Sequence, residues 1–186
     1  MVTPALTIRP YDSAGFETLY AIDQSCYPRG IAYSRRELRW YLGVRGASCL
    51  VAQLAAKPDL PQRGSNEREI AAYGGSDQTR AARSAEIAGF IIAQASGSEA
   101  HLITLDVVAA HRRLGIGSAL LRHMEQQLAA KGVRRITLET ATSNEAGVAF
   151  WHRHGYCDLG IVRGYYLGRL DAYEMYKIVR VSDTAG

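Results

Sequence analysis

The segment from Leu105 to Ala119, LDVVAAHRRLGIGSA, determines how this chain folds. Its first half is apolar and β-branched, which predicts a strand, and its second half opens a helix after a turn that contains Gly115 and Gly117. The amides of a first helical turn carry no intrahelical bond, and together with the helix dipole they attract anions. The turn is therefore predicted to hold a ligand of the size of a pyrophosphate, with Arg112 and Arg113 adding positive charge.

Three alternative interpretations of this turn stay open on its residues alone. A dinucleotide-binding fingerprint requires a third glycine three residues after Gly117, where the chain has Leu120. A phosphate-binding loop of the Walker type requires Gly-Lys-Ser/Thr, and Ser118 follows Gly117 without the lysine. The third interpretation is structural, since paired glycines also allow a helix to pack closely on a strand.

Outward from the turn, apolar residues recur at helical spacing and predict an amphipathic helix of about 18 residues that ends at Lys131-Gly132. These apolar positions are Ile116, Leu120, Leu121, Met124 and Leu128. A strand is predicted at 135–141. The centre of the chain thus has the order strand, helix, strand, which predicts a parallel pair within an otherwise antiparallel sheet.

The rest of the chain is predicted to contain further strands and short helices. Strands are expected at 5–10, 47–56, 87–95, 99–108, 157–166 and 172–181. Helices are expected after Asp12-Ser13, after Ser34, which forms a capping-box pattern with Glu37, and over 145–154. The predicted fold class is α/β (α+β), with one mixed, mostly antiparallel sheet of about seven strands.

Length and composition are those of one globular domain. A chain of 186 residues with 47% hydrophobic and 22% charged residues can bury a core without disulfides. We treat 1–186 as a single domain. The stretch 57–86, rich in proline, glycine and charge, is expected to be a flexible insertion, and 182–186 a frayed tail.

Other features of the sequence argue against membrane, nucleic-acid-binding and metal-binding classes of protein. The sequence shows no signal-peptide pattern and no apolar run of about 20 residues, so we expect a cytoplasmic protein without membrane contact. The net charge of +4 is scattered, which favours a small anionic ligand over nucleic acid. Cysteines and histidines do not stand at metal-ligand spacing, so no metal is expected.

The motif Arg112-x-x-Gly115-x-Gly117 resembles the Q/R-x-x-G-x-G/A signature of the GNAT superfamily of N-acetyltransferases. The strand before it and the strand, asparagine and short helix after it stand in the order of that family, and the resemblance covers the chain apart from 57–86. It is strongest to the RimI-type protein Nα-acetyltransferases, at Tyr27-Pro28, Leu138-Glu139, Ser143 to Ala146, Phe150-Trp151, Gly155-Tyr156, Arg163 to Tyr166 and Asp171-Ala172. The resemblance implies the GNAT fold, with helices on both faces of the sheet and the central parallel pair splayed for acetyl-CoA.

The resemblance also implies which residues bind acetyl-CoA. Backbone of the strand before the turn would pair with the pantetheine arm, and amides of the turn would hold the pyrophosphate. The first set is Leu105, Asp106 and Val107, and the second is Arg112, Arg113, Leu114, Gly115, Ile116, Gly117 and Ser118. Asn144 is expected near the pantetheine, as the N-cap of the next helix, or in both roles. Trp151 replaces a tyrosine that can protonate the leaving thiolate in the subgroup, and it is expected to pack in the core or against the cofactor.

The base is expected on the strand that follows the amphipathic helix. Acetyl transfer needs a neutral amine, so a base must remove a proton, and Glu139 is the matching family position. Apolar residues alternate with Glu139 along this strand, which directs its carboxylate towards the cleft; the alternative is a solvated strand carboxylate. Tyr27, Tyr165 and Tyr166 are expected at the acceptor site, and Tyr165 is also a candidate catalytic acid.

The leading hypothesis is an enzyme, monomeric or homodimeric, that acetylates the N-terminal α-amine of a peptide or ribosomal protein. A second hypothesis keeps acetyl-CoA and changes the acceptor to a small amine, such as an amino acid, a polyamine or an aminoglycoside. The region around Tyr27 and Tyr165 is poor in carboxylates, which favours a peptide. A third hypothesis is a non-catalytic acetyl-CoA sensor, which Trp151 leaves open.

Overall fold

The strands of the described residues form one mixed sheet. The computed structural model describes residues 5–55 and 86–179, and seven strands lie in the order β1-β2-β3-β4-β5-β7-β6. Neighbouring strands are antiparallel except for the parallel pair β4 and β5. The strands are β1 (Leu6–Pro10), β2 (Ala47–Leu54), β3 (Glu86–Ser96), β4 (Glu99–Val107), β5 (Arg135–Ala141), β6 (Cys157–Tyr166) and β7 (Leu170–Ile178). The predicted mixed, mostly antiparallel sheet is confirmed.

Helices cover both faces of this sheet, as predicted. They are α1 (Phe16–Cys26), α2 (Arg35–Gly43), α3 (Ile116–Ala130) and α4 (Glu145–Arg153). On one face, Leu19 of α1 and Leu38 of α2 are buried with Phe90. On the other face, Leu120 of α3 and Trp151 of α4 belong to a second apolar core. Because burial of one leucine contributes about 1.5–3 kcal/mol, each helix is held to its face mainly by such contacts.

Local sequence signals set the ends of α2 and α3. Ser34 Oγ accepts from the Glu37 amide at 3.2 Å and Glu37 Oε2 accepts from the Ser34 amide at 2.8 Å, which completes the predicted capping box. α3 starts after Gly115. It has 15 residues, fewer than the predicted length of about 18, mainly because Gly115 is left-handed, with a φ of 81°, so the helix begins only at Ile116. Its end at Ala130 lies next to the predicted end at Lys131-Gly132.

The parallel pair β4–β5 is joined only at its beginning. Its register pairs are Glu99 with Arg135, Ala100 with Ile136 and His101 with Thr137. Beyond these pairs, β4 continues to Val107 and β5 to Ala141 without pairing to each other. A gap therefore opens between the strands from His101 onward, and its β4 edge leads towards the turn before α3. This is the predicted splay.

A β-bulge at Ile103 changes the direction of the side chains of β4. The register between β3 and β4 skips Ile103, so the inward-outward alternation shifts by one residue there. Leu102 lies in the core beneath α3, whereas Thr104 contacts Tyr27 at the end of α1. The bulge leaves no signal in the local sequence.

The last strand differs from its predicted bounds of 172–181. β7 spans Leu170–Ile178, because the β6–β7 turn is tighter than expected. Leu167 and Gly168 both adopt left-handed conformations, with φ of 57° and 69°, and this turn already pairs Leu170 with Tyr166.

Two predicted segments lie outside the described residues. The first is the insertion expected at 57–86, of which only Glu86, the first residue of β3, is described. The second is the tail expected at 182–186. Among the helices that are described, none combines the length and the apolar character that crossing a bilayer requires.

Candidate active site

The turn before α3 presents bare backbone to solvent. Arg112 to Gly115 are exposed, and Leu114 is 64% exposed although it is apolar. Within the described part of the chain, the amides from Arg113 to Ser118 donate no hydrogen bond, and the first helical bond runs from the Ala119 amide to Gly115 O at 2.9 Å. These amides and the positive end of the α3 dipole together form a site suited to an anion.

Packing does not explain both glycines of this turn. Gly115 has a φ of 81°, a left-handed conformation that favours glycine. Gly117 has no such constraint, and a Cβ there would lie 3.4 Å from Leu105 Cδ2 and 3.5 Å from Phe150 Cε2, which are ordinary contacts. Close helix–strand packing therefore does not require glycine at 117, and the purely structural interpretation of the turn fails at this residue.

The two arginines of the turn are placed differently. Arg112 is tied back to β4, since its Nε donates to Val107 O at 2.9 Å, and its amide donates to Ala109 O at 3.2 Å. Its amide is thus used within the protein, unlike those that follow. Arg113 is exposed and has a φ of 65°, which costs a non-glycine residue about 1–2 kcal/mol. Strain of this kind is typical of turns whose shape serves a ligand.

The β4 edge that faces the gap carries backbone groups for a further strand. The Val108 amide donates to Ala88 O, on the β3 side, at 2.9 Å. Backbone groups of successive strand residues point to opposite edges, so those of Leu105 and Val107 point away from β3 and those of Asp106 point to β3. The Val107 carbonyl already accepts from Arg112 Nε, which leaves the Val107 amide. An extended ligand arm in the gap could pair with Leu105 and Val107 as an added strand.

Glu139 lies at the point where β5 leaves β4, and two other strands hold its carboxylate. Its side chain is 16% exposed. Oε2 accepts from the Tyr165 hydroxyl at 2.9 Å and lies 3.1 Å from His101 Nε2. Burial raises the pKa of Glu139, but the hydrogen bonds from His101 and Tyr165 outweigh burial, so its pKa lies below the ordinary value. Glu139 is therefore ionised at neutral pH, and two side chains fix its carboxylate in place.

Tyrosines surround this carboxylate. Tyr165 and Tyr166 meet edge-on at a ring-centroid distance of 4.8 Å, and the Tyr166 hydroxyl lies 3.5 Å from Glu139 O. Burial and then the charge of Glu139 raise the pKa of Tyr166 to about 12 and that of Tyr165 further. Both phenols stay protonated at neutral pH and act as donors. Tyr33, between α1 and α2, and Tyr41, on α2, have ring centroids 5.0 Å apart. Burial raises the pKa of Tyr41, and the charge of Glu139 adds to this effect.

Comparison with known protein families identifies the class to which this chain belongs. The model of the acetyltransferase (GNAT) family matches residues 16–156, which is most of the chain. The chain belongs to this family. The predicted enzyme class is thereby confirmed: the protein is an acetyltransferase whose acetyl donor is acetyl-CoA.

Individual relatives agree with the family assignment. The ribosomal protein bS18-alanine N-acetyltransferase of Escherichia coli (strain K12) is 33% identical over 132 residues, which cover 63% of this chain and 89% of that protein. Ard1 from Thermoplasma volcanium has a TM-score of 0.73 at 22% identity, over 95% of this chain and 99% of that chain. Arabidopsis thaliana NAA60 in complex with acetyl-CoA has a TM-score of 0.71 at 17% identity, over 94% and 99%. The two structures confirm the predicted fold.

Two residues expected at the cofactor also have structural roles in the acetyltransferase. Asn144 Oδ1 accepts from the Gly147 amide at 3.1 Å, so the residue is the N-cap of α4, and its exposed side-chain amide nitrogen stays available to a ligand. Trp151 is 9% exposed and packs edge-on against Phe150 and Tyr156, at centroid distances of 5.0 and 5.3 Å. Its indole belongs to the core beneath α3.

Tyr27 points into the acetyltransferase rather than towards Glu139. Its hydroxyl lies 3.2 Å from Thr104 Oγ1, which donates to Asp106 Oδ1 at 2.9 Å. Asp106 is buried, and its Oδ2 has no partner among the described residues. Burial outweighs the hydrogen bond from Thr104 and raises the pKa of Asp106 to about 7. Of the three expected acceptor-site tyrosines, the structure brings Tyr165 and Tyr166 to Glu139, whereas Tyr27 joins a separate buried cluster.

Sequence reasoning missed His101 in the acetyltransferase. This histidine stands alone in an apolar strand, without a partner at any spacing that indicates chemistry. Its proximity to Glu139 depends on the parallel register between β4 and β5, which only the tertiary structure supplies. Within residues 5–55 and 86–179, no group of three or more His, Cys, Asp or Glu side chains is placed to hold a metal ion.

Proposed function

We propose that this acetyltransferase moves the acetyl group of acetyl-CoA to the N-terminal α-amine of a protein, by direct attack, with Glu139 as general base. The observation that carries the proposal is the position of Glu139, a largely buried carboxylate at the narrow end of the gap between β4 and β5. The turn of unused amides lies beyond the wide end of the same gap. A cofactor anchored at the turn and laid along the gap would bring its far end to this carboxylate.

The chemical order of acetyl-CoA matches the order of groups along the gap. The amides from Arg113 to Ser118 would hold the diphosphate, with the charge of Arg113 beside it. Leu105, through its backbone groups, and Val107, through its amide, would pair with the pantetheine arm, and the exposed amide of Asn144 would donate from the β5 side. Trp151 would support the site from the core behind it. The thioester, at the opposite end of the pantetheine from the diphosphate, would then lie beside Glu139.

The chemistry requires one base and one leaving group. The neutral amine nitrogen attacks the thioester carbonyl carbon, the new C–N bond forms, and the C–S bond breaks as coenzyme A leaves as a thiolate. Glu139 takes the proton that the amine loses, directly or through water. A thiol with a pKa near 8.5 leaves readily as its thiolate, because that anion is stable near neutral pH. Solvent can then return the proton, so Trp151 need not act as an acid.

A protein N-terminus is the acceptor that relatives and local structure favour. The Escherichia coli relative is named for acetylation of an alanine of ribosomal protein bS18. In this chain, the α1–α2 loop touches the β6–β7 turn, since a Cβ on Gly30 would lie 3.0 Å from Leu167 Cδ2. This contact narrows the approach to the tyrosines around Glu139, which suits the end of an extended chain better than its middle.

The test is an acetylation screen with three kinds of acceptor. Peptides with a free N-terminus, the same peptides with a blocked N-terminus and an internal lysine, and small amines such as spermidine are incubated with acetyl-CoA. Thiol release gives the rate, and mass spectrometry locates the acetyl group. We expect modification of free N-termini with release of one thiol per acetyl group transferred. Modification of lysine or of small amines alone would contradict the acceptor assignment, and cofactor binding without any turnover would contradict the catalytic proposal.

A further inference from the structure

His101 uses both of its ring nitrogens inside the protein. Nε2 lies 3.1 Å from Glu139 Oε2, and Nδ1 lies 3.0 Å from Thr137 Oγ1. The side chain of His101 is 36% exposed, so water reaches the ring without separating these contacts. Because neither nitrogen faces an open position, the ring is not placed to remove a proton from a substrate.

The hydrogen-bond chemistry at Glu139 gives its two carboxylate oxygens different roles. A carboxylate only accepts, so His101 must donate from Nε2 to Oε2, while Nδ1 pairs with the Thr137 hydroxyl. Tyr165 donates to the same oxygen, Oε2, at 2.9 Å. Oε2 therefore has two protein donors, whereas Oε1 has none within the described residues.

We propose that His101 is a positioning residue, which together with Tyr165 holds Oε2 of Glu139 and so presents Oε1 to the acceptor amine. This inference rests on the proposed role of Glu139 as the base. The orientation of the Glu139 carboxylate thus depends on a residue of the neighbouring strand, β4.

The splay of the sheet explains why this position needs a long donor. His101 and Thr137 form the last register pair between β4 and β5. Glu139 is the next residue of β5 on the same face, and no residue of β4 pairs with it. The imidazole spans this opening from the last paired position. An apolar side chain at 101 would leave the carboxylate without its donor from β4.

The expected consequence is a change in the pH dependence of the reaction. The titratable groups that face Glu139 are His101 from β4, Tyr165 and Tyr166 from β6, Tyr41 from α2, and Glu174, its register partner on β7. Loss of the donor at 101 removes the first stabilising partner of the carboxylate, so the pKa of Glu139 rises. Activity that requires the carboxylate is then lost at a higher pH as the solution is acidified.

The experiment compares two substitutions of His101 with a control. His101→Phe removes the donor, and His101→Gln keeps an N–H of similar reach. His152→Phe is the matched control, because His152 also donates to a carboxylate, Asp158 at 2.9 Å, away from Glu139. The measurements are kcat/KM for an acceptor peptide with a free N-terminus against pH, the Kd for coenzyme A, and thermal unfolding.

His101→Phe is expected to lower kcat/KM by about 10–100-fold and to move the acidic limb to higher pH by about one unit, with unchanged coenzyme A affinity. His101→Gln should recover most of this loss, and His152→Phe should behave as the unsubstituted protein. An unmoved acidic limb in His101→Phe overturns the proposal, and so does a His101→Gln variant as impaired as His101→Phe. If His101→Phe does not fold, Thr137→Val, which frees the ring at Nδ1, must move the limb in the same direction.

Glu139→Gln, measured alongside, separates this inference from the proposed function. If Glu139→Gln keeps full activity, Glu139 is not the base and both proposals fail. If Glu139→Gln is inactive while the His101→Phe profile stays in place, only the positioning role of His101 fails.

Discussion

Replacement of Gly117 by alanine should make the protein more stable and weaken its hold on coenzyme A. The residue lies in the first turn of α3, and its φ is not in the left-handed region. An added Cβ would meet Leu105 Cδ2 at 3.4 Å and Phe150 Cε2 at 3.5 Å, so the folded protein can accept it without displacement. The same methyl group would stand on backbone that we propose to contact the cofactor.

The two effects have opposite signs, and the structure sets their size. Glycine to alanine at a compatible position stabilises by about 0.4–1 kcal/mol through the unfolded state. For a chain of this length, that raises the melting temperature by roughly 1–4 °C. If the methyl group holds the diphosphate away from the amides, a loss of about 1.4 kcal/mol, or tenfold in Kd, is expected.

Thermal unfolding and titration calorimetry with coenzyme A measure both quantities on the same sample. Gly43→Ala is the control, since Gly43 ends α2 on the opposite face of the sheet and a Cβ there would meet no atom within 4 Å. It should stabilise without changing the Kd. A Gly117→Ala protein that is more stable but binds coenzyme A as tightly as before would refute the placement of the diphosphate. A Gly117→Ala protein that is less stable would instead show that packing requires glycine at position 117.

Three further predictions follow from the site. Glu139→Gln should lower kcat by about 10²–10⁴-fold with little change in coenzyme A affinity, as measured by thiol release and calorimetry. Tyr165→Phe removes one donor to Glu139 Oε2, so the pKa of Glu139 should rise and the acidic limb of kcat/KM should move to higher pH by up to about one unit; a profile that does not move would contradict the contact. Asp106 has its pKa raised from 3.8 to about 7 by burial, so its charge destabilises the folded state increasingly as the pH rises from about 4 to 7. Asp106→Asn should therefore raise the free energy of unfolding by roughly 2–4 kcal/mol at pH 8 and by little at pH 4, and equal gains at both values in denaturant titrations would count against a buried charge.

Much of the fold was predictable because its signals are local. The glycine turn, the apolar spacing along α3 and the Ser34–Glu37 capping box each depend on residues within one or two turns of one another. The direction of Glu139 was predictable for the same reason, since strand alternation sends it to the face opposite Ile136 and Leu138. Where the prediction of β7 was wrong, the cause was a left-handed residue, Leu167, whose conformation composition does not reveal.

The remaining parts of the site depend on how distant segments meet. The sequence by itself determined the family, the turn before α3 and the strand that carries the carboxylate. Only the tertiary structure decided that His101 reaches Glu139, that Tyr27 turns inward to Thr104, and that the bulge at Ile103 redirects the end of β4. His101 and Thr137 are 36 residues apart and meet only through the register of two parallel strands. Register is set by the packing of the whole sheet between its two helical layers, so no short window of sequence contains it.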